Sequence, residues 1–156
     1  MFMGIKNLSI CERVPVTASL LQHSLLIGLE FSLLKSHTHI KPHKGYARMI
    51  LRMHLPIIVP AGDLCTLRVG NETRAWKENE MLLFDDSHEH EAFNNSDTDR
   101  VVLMIDIVHP DWMEYTAADI YKYKWEHIND EKLLQFTPKE YWIQWYNDGH
   151  FPIISQ

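Results

Sequence analysis

The hydrophobic pattern predicts a chain built mainly of short β-strands. Apolar residues alternate with polar ones, or form short apolar runs, through the middle of the chain, and turn-forming residues separate the runs. Runs of this length bounded by Gly, Pro, Asn or Asp are typical of strands rather than helices. The pattern predicts strands at residues 29–34, 49–59, 64–69, 73–76, 81–84, 90–93 and 100–108.

Several local signals refine this prediction. Residues 35–42 are expected to form a loop, in which Pro42 keeps the chain extended just before His43. Pro56 lies inside a predicted strand, which indicates an edge, a bulge or a bend. Gly70 and Asn71 predict a hairpin turn. The apolar run 81–84 is expected to be a buried strand.

Many short strands with turns between them are typical of a sandwich or small barrel, and we expect a double-stranded β-helix, the jelly roll of the cupins. Short flanking helices are predicted at residues 18–23, capped by Thr17, and at the C-terminal end, where Pro138 follows Thr137 in a helix-start pattern. The length of 156 residues favours a single domain, with a core at about 29–110 and an aromatic, helical extension at 111–156. The aromatic residues of the extension are also suited to a homo-oligomer interface.

Charge and cysteine content narrow the possible partners and location. The net charge is -6, and no basic stripe follows the chain, so nucleic acid is not an expected partner. Cys11 and Cys65 are far apart, and Cys65 lies in an apolar alternating run, which favours a buried free thiol and a reducing compartment. No segment has the composition of an integral membrane span, and the first residues lack a signal-peptide pattern. We expect a cytoplasmic protein.

Two histidines are the candidate metal ligands. His43 lies in the run THIKPHKG (38–45) and His90 in FDDSHEHE (84–91), and the strands between them could bring the two together. Imidazole suits iron, and non-haem Fe(II) oxygenases usually bind their metal with two histidines and a carboxylate. The carboxylate is expected two residues after the first histidine, where this chain has Gly45. That position would be left to water or an anion, and Asp86 could hold such a water.

An arginine could complete a cosubstrate pocket. Arg100 follows His90 by ten residues across a polar turn, so two antiparallel strands could carry both side chains towards one cavity. A guanidinium binds a carboxylate through two parallel hydrogen bonds, and could fix the distal end of 2-oxoglutarate. Arg52, His54 and Ser32 could supply further polar contacts.

Each of these residues also has an ordinary structural interpretation. The chain has 10 histidines, so any one of them is more often a surface residue than a ligand. Arg100 alone would more often be an ion-pair partner, and Asp86 a solvated strand end. The functional hypothesis therefore depends on the combined pattern.

That pattern resembles the aspartyl/asparaginyl β-hydroxylase family of Fe(II)- and 2-oxoglutarate-dependent dioxygenases. The resemblance covers about half of the chain, from Phe31 to Pro110, and its motifs keep a consistent order. They are Phe31-Ser32-x-Leu34, Pro42-His43-x-Gly45, Leu51-Arg52-Met53-His54-Leu55, Val59-Pro60, Arg68-Val69, Trp76, Phe84-Asp85-Asp86-Ser87, Glu89-His90-Glu91, Asn94, Asp99-Arg100, Asp106 and His109-Pro110.

The resemblance implies an enzyme that hydroxylates an unactivated C–H bond, with Fe(II), 2-oxoglutarate and O2 as cofactors and cosubstrates and with succinate and CO2 as co-products. It implies that His43 and His90 bind the iron and that Gly45 marks a missing protein ligand. The implied 2-oxoglutarate pocket consists of Ser32, Leu34, Arg52, His54 and Arg100.

The resemblance leaves the substrate open among a peptidyl Asp or Asn, a free amino acid and an acyl chain. Some family members carry an arginine for the substrate's carboxylate two residues before the Arg-x-His motif, where this chain has Ile50. Peptidyl Asp or Asn is therefore not carried over as the target.

Three alternatives remain at the level of the sequence. The vacancy at Gly45 could admit chloride and turn hydroxylation into halogenation. The same jelly roll could be a cupin-like module that binds a metal or a small acid without turnover. A zinc hydrolase is less consistent with the sequence, because catalytic zinc normally has three protein ligands.

Overall fold

The computed structural model describes residues 6–22, 25–45, 47–127 and 153–154. Its strands, in chain order, are β1 (Lys6–Asn7), β2 (Leu26–Leu34), β3 (Thr38–His43), β4 (Ile50–Ile58), β5 (Cys65–Val69), β6 (Glu72–Ala75), β7 (Leu82–Asp85), β8 (His90–Asn94), β9 (Arg100–Val108) and β10 (Ile153–Ile154). Its α-helices are α1 (Leu8–Arg13), α2 (Pro15–Ser19) and α3 (Ala117–His127), and 3₁₀ turns lie at Leu20–Gln22 and Pro110–Trp112.

Two four-stranded antiparallel sheets form the core, in the orders β2-β9-β4-β7 and β3-β8-β5-β6. The chain passes repeatedly from one sheet to the other, since β2, β4, β7 and β9 belong to the first and β3, β5, β6 and β8 to the second. This alternation is that of a double-stranded β-helix, so the expected jelly roll is confirmed. A separate parallel pair joins β1 to β10.

The interior between the sheets contains an apolar cluster and several polar side chains. The buried cluster consists of Leu34, Cys65, Leu67, Trp76, Ala92 and Val102. Cys65 is a free thiol, fully buried as expected, and burial raises its pKa. Along β9 the buried residues Arg100, Val102 and Asp106 lie on one face of the strand, at the period of two that a pleated strand requires. A strand with an apolar composition thus delivers two charged side chains to the interior.

The outer face of the first sheet is covered in part by the N-terminal helices. Leu21 packs there with Leu29 and Leu103, and Cys11 lies at the edge of the same cluster. The predicted cap at Thr17 is wrong, because α2 begins at Pro15. Proline suits the first turn of a helix, where its missing N–H would have had no partner within the helix. No helix in the described part of the chain is long and apolar enough to cross a membrane.

Helix α3 is the described part of the C-terminal extension. Ile120 and Tyr121 are fully buried, and the Tyr121 hydroxyl donates a hydrogen bond to the carbonyl of Ile27 at the start of β2. The extension therefore begins with a helix packed against the jelly roll, as predicted. The helix expected after Thr137 and Pro138, and the aromatic residues beyond it, lie outside the described residues.

The strand predictions need two corrections and one refinement. Residues 35–42 are not all loop, since β3 pairs with β8, and most of its side chains are too exposed to give an apolar pattern. The run 81–84 is half-buried on one face only, since Leu82 and Phe84 pack against the apolar cluster whereas Leu83 is 56% exposed on the outer face of the sheet. Pro56 lies at a bulge between two interior strands, where the register of β4 on β9 shifts.

Asn94 fixes the turn that carries the chain from β8 to β9. Its side chain is fully buried, and its amide nitrogen donates to the carbonyls of Leu34 (3.0 Å) and Thr98 (2.9 Å). Its amide oxygen accepts hydrogen bonds from Cys65 Sγ and from the backbone and hydroxyl of Ser96. The turn crosses from one sheet to the other, so Asn94 ties together both sheets just before Arg100.

We expect Asn94→Ala to lower the free energy of unfolding by about 3 kcal/mol, because several buried partners lose their hydrogen bonds at once. Urea denaturation would measure the change. Asn95→Ala, at the exposed neighbouring position, is the control and should change stability by less than about 0.5 kcal/mol. Equal effects of the two substitutions would contradict this role of Asn94.

Candidate active site

His43 and His90 face each other at the ends of neighbouring strands. His43 ends β3, His90 begins β8, and the two residues are register partners. Their ring centroids lie 4.2 Å apart with the ring planes at 56°. The two histidines, distant in sequence, are therefore adjacent in space.

Each of the two imidazoles is held by a local hydrogen bond to the backbone. His43 Nδ1 lies 2.8 Å from the carbonyl oxygen of Lys41, and His90 Nδ1 lies 2.9 Å from that of His88. A carbonyl only accepts hydrogen bonds, so Nδ1 carries the proton in each ring and the lone pair is on Nε2. Burial lowers the pKa of His90, which favours the neutral, metal-binding form. Both rings are thus in the tautomer that binds a metal through Nε2.

Asp86 occupies the space beside Gly45 in which a third ligand side chain would lie. The backbone N–H of Gly45 donates to the carbonyl of Asp86 at 2.7 Å. A Cβ at residue 45 would overlap Oδ2 of Asp86 and come within 2.9 Å of its carbonyl oxygen. Asp86 Oδ1 lies 3.5 Å from His90 Nε2. Glycine at position 45 is therefore required for this approach of the Asp86 carboxylate.

Arg52 links Asp86 to the opposite end of the polar network. Its Nε and Nη2 donate to Oδ1 (2.7 Å) and Oδ2 (2.9 Å) of Asp106, and its Nη1 lies 2.9 Å from Asp86 Oδ1. The last contact is an ion pair without hydrogen-bond geometry, and Oδ1 has no hydrogen-bond partner among the described residues. Burial alone would lower the pKa of Arg52, but the two carboxylates raise it above its ordinary value.

Arg100 is a buried cation without a facing carboxylate. It is 1% exposed, and its guanidinium carbon lies 4.5 Å from the ring centroid of Trp76, in a cation–π contact. Its Nε and Nη1 are buried and have no hydrogen-bond partner in the described part of the chain. Burial lowers the pKa of Arg100 to about 10, so the side chain remains positively charged at neutral pH.

His54 adds a further unpartnered donor. Trp76 Nε1 donates to His54 Nδ1 at 3.2 Å, which places the proton of the neutral ring on Nε2. That Nε2 is buried and has no partner within the described residues. Burial, together with the positive charges of Arg100 and Arg52, lowers the pKa of His54 to about 3, so the ring is neutral.

Ser32 and Leu34 lie on the strand beside Arg100. Leu34 is the register partner of Arg100, and Ser32 that of Val102, so both lie on the face of β2 that continues the row of Arg100. Leu34 is buried in the apolar cluster. The residues predicted to form the cosubstrate pocket thus share one face of one sheet. Arg52 is already paired with carboxylates, whereas Arg100 has donors without a partner among the described residues.

A ferrous ion and a dicarboxylate fit this donor set. The imidazole Nε2 atoms of His43 and His90 would hold the metal, and Asp86 Oδ1 could accept a hydrogen bond from a metal-bound water. Among the described residues, no third His, Cys, Asp or Glu joins them in a group that would enclose a metal by itself. The donors of Arg100 and His54 match a carboxylate, which has only acceptors.

Sequence reasoning assigned no role to three residues that shape the site. Trp76 supports both Arg100 and His54, and Asp106 binds Arg52. Phe84 makes edge contacts with the rings of His54 and His90, each at 5.3 Å between centroids. All three lie in motifs that carry the family resemblance, and an acidic residue within the apolar run 101–108 was a further signal for Asp106.

Comparisons with known proteins identify the family of the chain. The family profile described as Aspartyl/Asparaginyl beta-hydroxylase matches residues 1–110. The chain therefore belongs to the aspartyl/asparaginyl β-hydroxylase family, whose members are hydroxylases of the 2-oxoglutarate dioxygenase type.

Two curated relatives illustrate the range of the family. The aspartyl/asparaginyl beta-hydroxylase of Mus musculus is 37% identical over 114 residues, which is 69% of this chain and 15% of the mouse protein. The ornithine lipid ester-linked acyl 2-hydroxylase of Rhizobium tropici is 43% identical over 81 residues, 51% of this chain and 29% of that protein. The chain thus corresponds to less than a third of the length of either relative.

Solved structures share the general outline of the fold. A predicted oxalate decarboxylase from Thermotoga maritima superposes with a TM-score of 0.45 at 12% identity, over 64% of this chain and 74% of that one. A cupin superfamily protein from Desulfitobacterium hafniense gives a TM-score of 0.42 at 7% identity, over 56% and 72% of the two chains. The strand order described above, rather than this likeness, defines the fold.

Gly45→Ala should lower metal affinity by about 10- to 100-fold, because the added methyl group displaces the Asp86 carboxylate from its place beside His90. Anaerobic titration with Fe(II) would measure the loss. Gly70→Ala is the control: nothing lies within 4 Å of an added Cβ, so metal affinity should be unchanged, although the left-handed φ of +56° costs about 1–2 kcal/mol of stability. Unchanged metal affinity in Gly45→Ala would show that the position of this carboxylate is unimportant.

Proposed function

We propose that the protein is an Fe(II)- and 2-oxoglutarate-dependent dioxygenase that hydroxylates an unactivated C–H bond and releases succinate and CO2. The observation that carries this proposal is a group of three buried donors at one end of the interior that have no hydrogen-bond partner among the described residues: Arg100 Nε, Arg100 Nη1 and His54 Nε2. An unsatisfied buried donor costs about 1–3 kcal/mol, and a charged one costs more. A bound dicarboxylate would satisfy all three.

The two ends of the interior have different tasks in this mechanism. His43 and His90 hold the iron, which supplies the activation of dioxygen when it is bound. Arg100 and His54 bind the far carboxylate of 2-oxoglutarate, and Ser32 and Leu34 line the same pocket. Trp76 keeps both donors in place through its ring and its N–H. The residues therefore orient the cosubstrate along the axis between the sheets.

Asp86 has a positioning role next to the iron. Its Oδ1 would accept a hydrogen bond from a water in the place of the missing third protein ligand, while Arg52 holds the carboxylate in position through its ion pair. A carboxylate in this position also disfavours an anion such as chloride. This supports hydroxylation over halogenation.

The substrate falls within the classes that the relatives' names indicate. The curated relatives are named for hydroxylation of aspartyl or asparaginyl residues and of the acyl group of an ornithine lipid. For this chain we propose a small-molecule, peptide or acyl-chain substrate. A hydroxylation screen over amino acids, peptides and acyl lipids, with detection of a product heavier by one oxygen atom, would identify it.

His43→Ala and His90→Ala should each abolish Fe(II) binding and 2-oxoglutarate-dependent succinate formation, since each removes one of the two protein ligands. His39→Ala and His88→Ala are matched controls on exposed histidines nearby and should retain both properties. Fe(II) binding and the iron-to-2-oxoglutarate absorption band would be followed anaerobically. An iron-loaded wild-type protein that gives neither the band nor succinate would support a non-catalytic binding module instead.

Arg100→Ala should weaken 2-oxoglutarate binding by about 10- to 150-fold, because it removes charged hydrogen bonds worth about 1.5–3 kcal/mol. Its affinity for Fe(II) should change much less, since Arg100 lies away from the two histidines. Anaerobic titration of the absorption band separates the two effects, and Arg48→Ala, at an exposed arginine, is the control. Equal losses of iron and 2-oxoglutarate affinity would argue against the assigned role.

A further inference from the structure

Helix α3 meets the jelly roll at an irregular point of β2. Leu26 pairs with Ile107 of β9. Gly28, two residues further along β2, pairs with the next residue of β9, Asp106. Ile27 is therefore the extra residue of a β-bulge, which the ladder leaves unpaired. Ile27 is 1% exposed, so its carbonyl needs a hydrogen-bond donor from within the protein.

Tyr121 of α3 supplies this donor. Its side chain is fully buried, and its hydroxyl donates a hydrogen bond to the carbonyl of Ile27. Burial and the nearby negative charge of Asp106 raise the pKa of Tyr121, so the hydroxyl keeps its proton at neutral pH. The helix lies beyond residues 1–110, which match the family profile. An element of the C-terminal extension therefore holds the bulge in β2.

The bulge places a glycine against the carboxylate of Asp106. A Cβ on Gly28 would lie 3.3 Å from Oδ2 and 3.4 Å from Cβ of Asp106. These distances are shorter than those of ordinary van der Waals packing, so a side chain at position 28 would displace the carboxylate. A register without the bulge would put Ile27, with its branched side chain, opposite Asp106. The position of Asp106 therefore depends on the bulge.

Asp106 is also the first member of the ion-pair network that reaches the metal site. Its two carboxylate oxygens accept hydrogen bonds from Arg52 at 2.7 and 2.9 Å, and Arg52 Nη1 lies 2.9 Å from Asp86 Oδ1. Asp86 Oδ1 in turn lies 3.5 Å from His90 Nε2. Both carboxylates are buried, so solvent cannot take up a displacement of Asp106. Such a displacement would move the guanidinium, and with it Asp86.

From these contacts we infer that Tyr121, on a helix outside the two sheets, is a positioning residue of the iron site. Its hydroxyl fixes the bulge that keeps Gly28 against Asp106. That carboxylate, through Arg52, sets the position of Asp86 beside the histidine ligand. The inference rests on the proposed dioxygenase function. It gives the C-terminal extension a task in metal binding, exerted entirely through other residues.

The test compares two substitutions on α3 in the full chain by anaerobic calorimetric titration with Fe(II). Tyr121→Phe removes the hydroxyl and keeps the ring, and should lower Fe(II) affinity about 3- to 10-fold, less than a change next to the metal ligands. Ile120→Val is the matched control, because it trims the neighbouring buried side chain and leaves the hydroxyl in place. Its Fe(II) affinity should stay within about two-fold of wild type.

A second readout needs no metal. The N–H of Gly45 donates to the carbonyl of Asp86, so its hydrogen-exchange rate in the metal-free protein reports how firmly Asp86 is held. Relative to the amides of the central strands, Tyr121→Phe should raise this rate at least about three-fold, whereas Ile120→Val should leave it unchanged. In the Asp86→Asn background, Tyr121→Phe should no longer change Fe(II) affinity, because the path ends at that carboxylate. A full effect in that background would contradict the path.

The outcomes separate the inference from the function on which it rests. Wild-type Fe(II) affinity in Tyr121→Phe, or equal losses in Tyr121→Phe and Ile120→Val, would overturn the positioning role and leave the dioxygenase proposal intact. A wild-type protein that binds no Fe(II), but in which Tyr121→Phe still speeds exchange at Gly45, would overturn the dioxygenase proposal instead. If Tyr121→Phe does not fold, Gly28→Ala tests the same path by displacing Asp106 directly, and unchanged Fe(II) affinity in that variant would also overturn the inference.

Discussion

The ion-pair network around Arg52 is the interaction on which the polar side of the interior depends. Arg52 lies on β4, Asp106 on β9 and Asp86 just after β7, so a single guanidinium connects three neighbouring strands. Charges this deeply buried are stable only when they are paired, and removing one partner would leave the others uncompensated. The network therefore also fixes the position of Asp86 beside Gly45 and His90. The geometry of the metal site follows from an interaction that begins on the opposite sheet.

The other end of the interior has the reverse charge balance. Arg100 is buried with a tryptophan ring beneath it, and no carboxylate in the described part of the chain pairs with it. Arg52 is paired with two carboxylates of the protein, Asp106 and Asp86, and Asp86 lies beside His90. Arg100 has buried donors without a partner among the described residues, so it is the arginine that can bind an anionic ligand.

Much of the fold could be predicted from the sequence because its signals are local. The alternation at residues 64–69, the Gly70-Asn71 turn and the bulge at Pro56 depend on side-chain period and on the special backbone properties of Gly and Pro. Strand β3 was missed because its side chains are mostly exposed and its pairing depends on β8, about fifty residues away. The sequence predicts a buried strand at residues 81–84, whereas Leu83 is 56% exposed. Four apolar residues in a row do not reveal which face of a strand is open to solvent.

In the candidate site, too, residue types could be predicted from the sequence, whereas contacts between distant residues could not. His43, His90 and Arg100 could be selected from the sequence, by residue type and by resemblance, as members of one site. The partners of Arg52 could not, because its ion pair with Asp106 joins residues 54 apart in the chain. The supporting contacts of Trp76 with Arg100 and His54 likewise arise only when both sheets are in place. The assigned roles of the individual site residues remain predictions.

The hydrogen bonds from the two imidazoles to the backbone, each to a carbonyl two residues earlier, have a consequence for assembly. Each ring is oriented within its own tripeptide, so bringing the two nitrogens together depends on the alignment of β3 with β8. A slip of one residue would send one ring to the opposite face of the sheet. A metal that binds only the aligned pair would therefore stabilise the correct register of β3 on β8. The stability of the folded sandwich would then increase with the metal concentration.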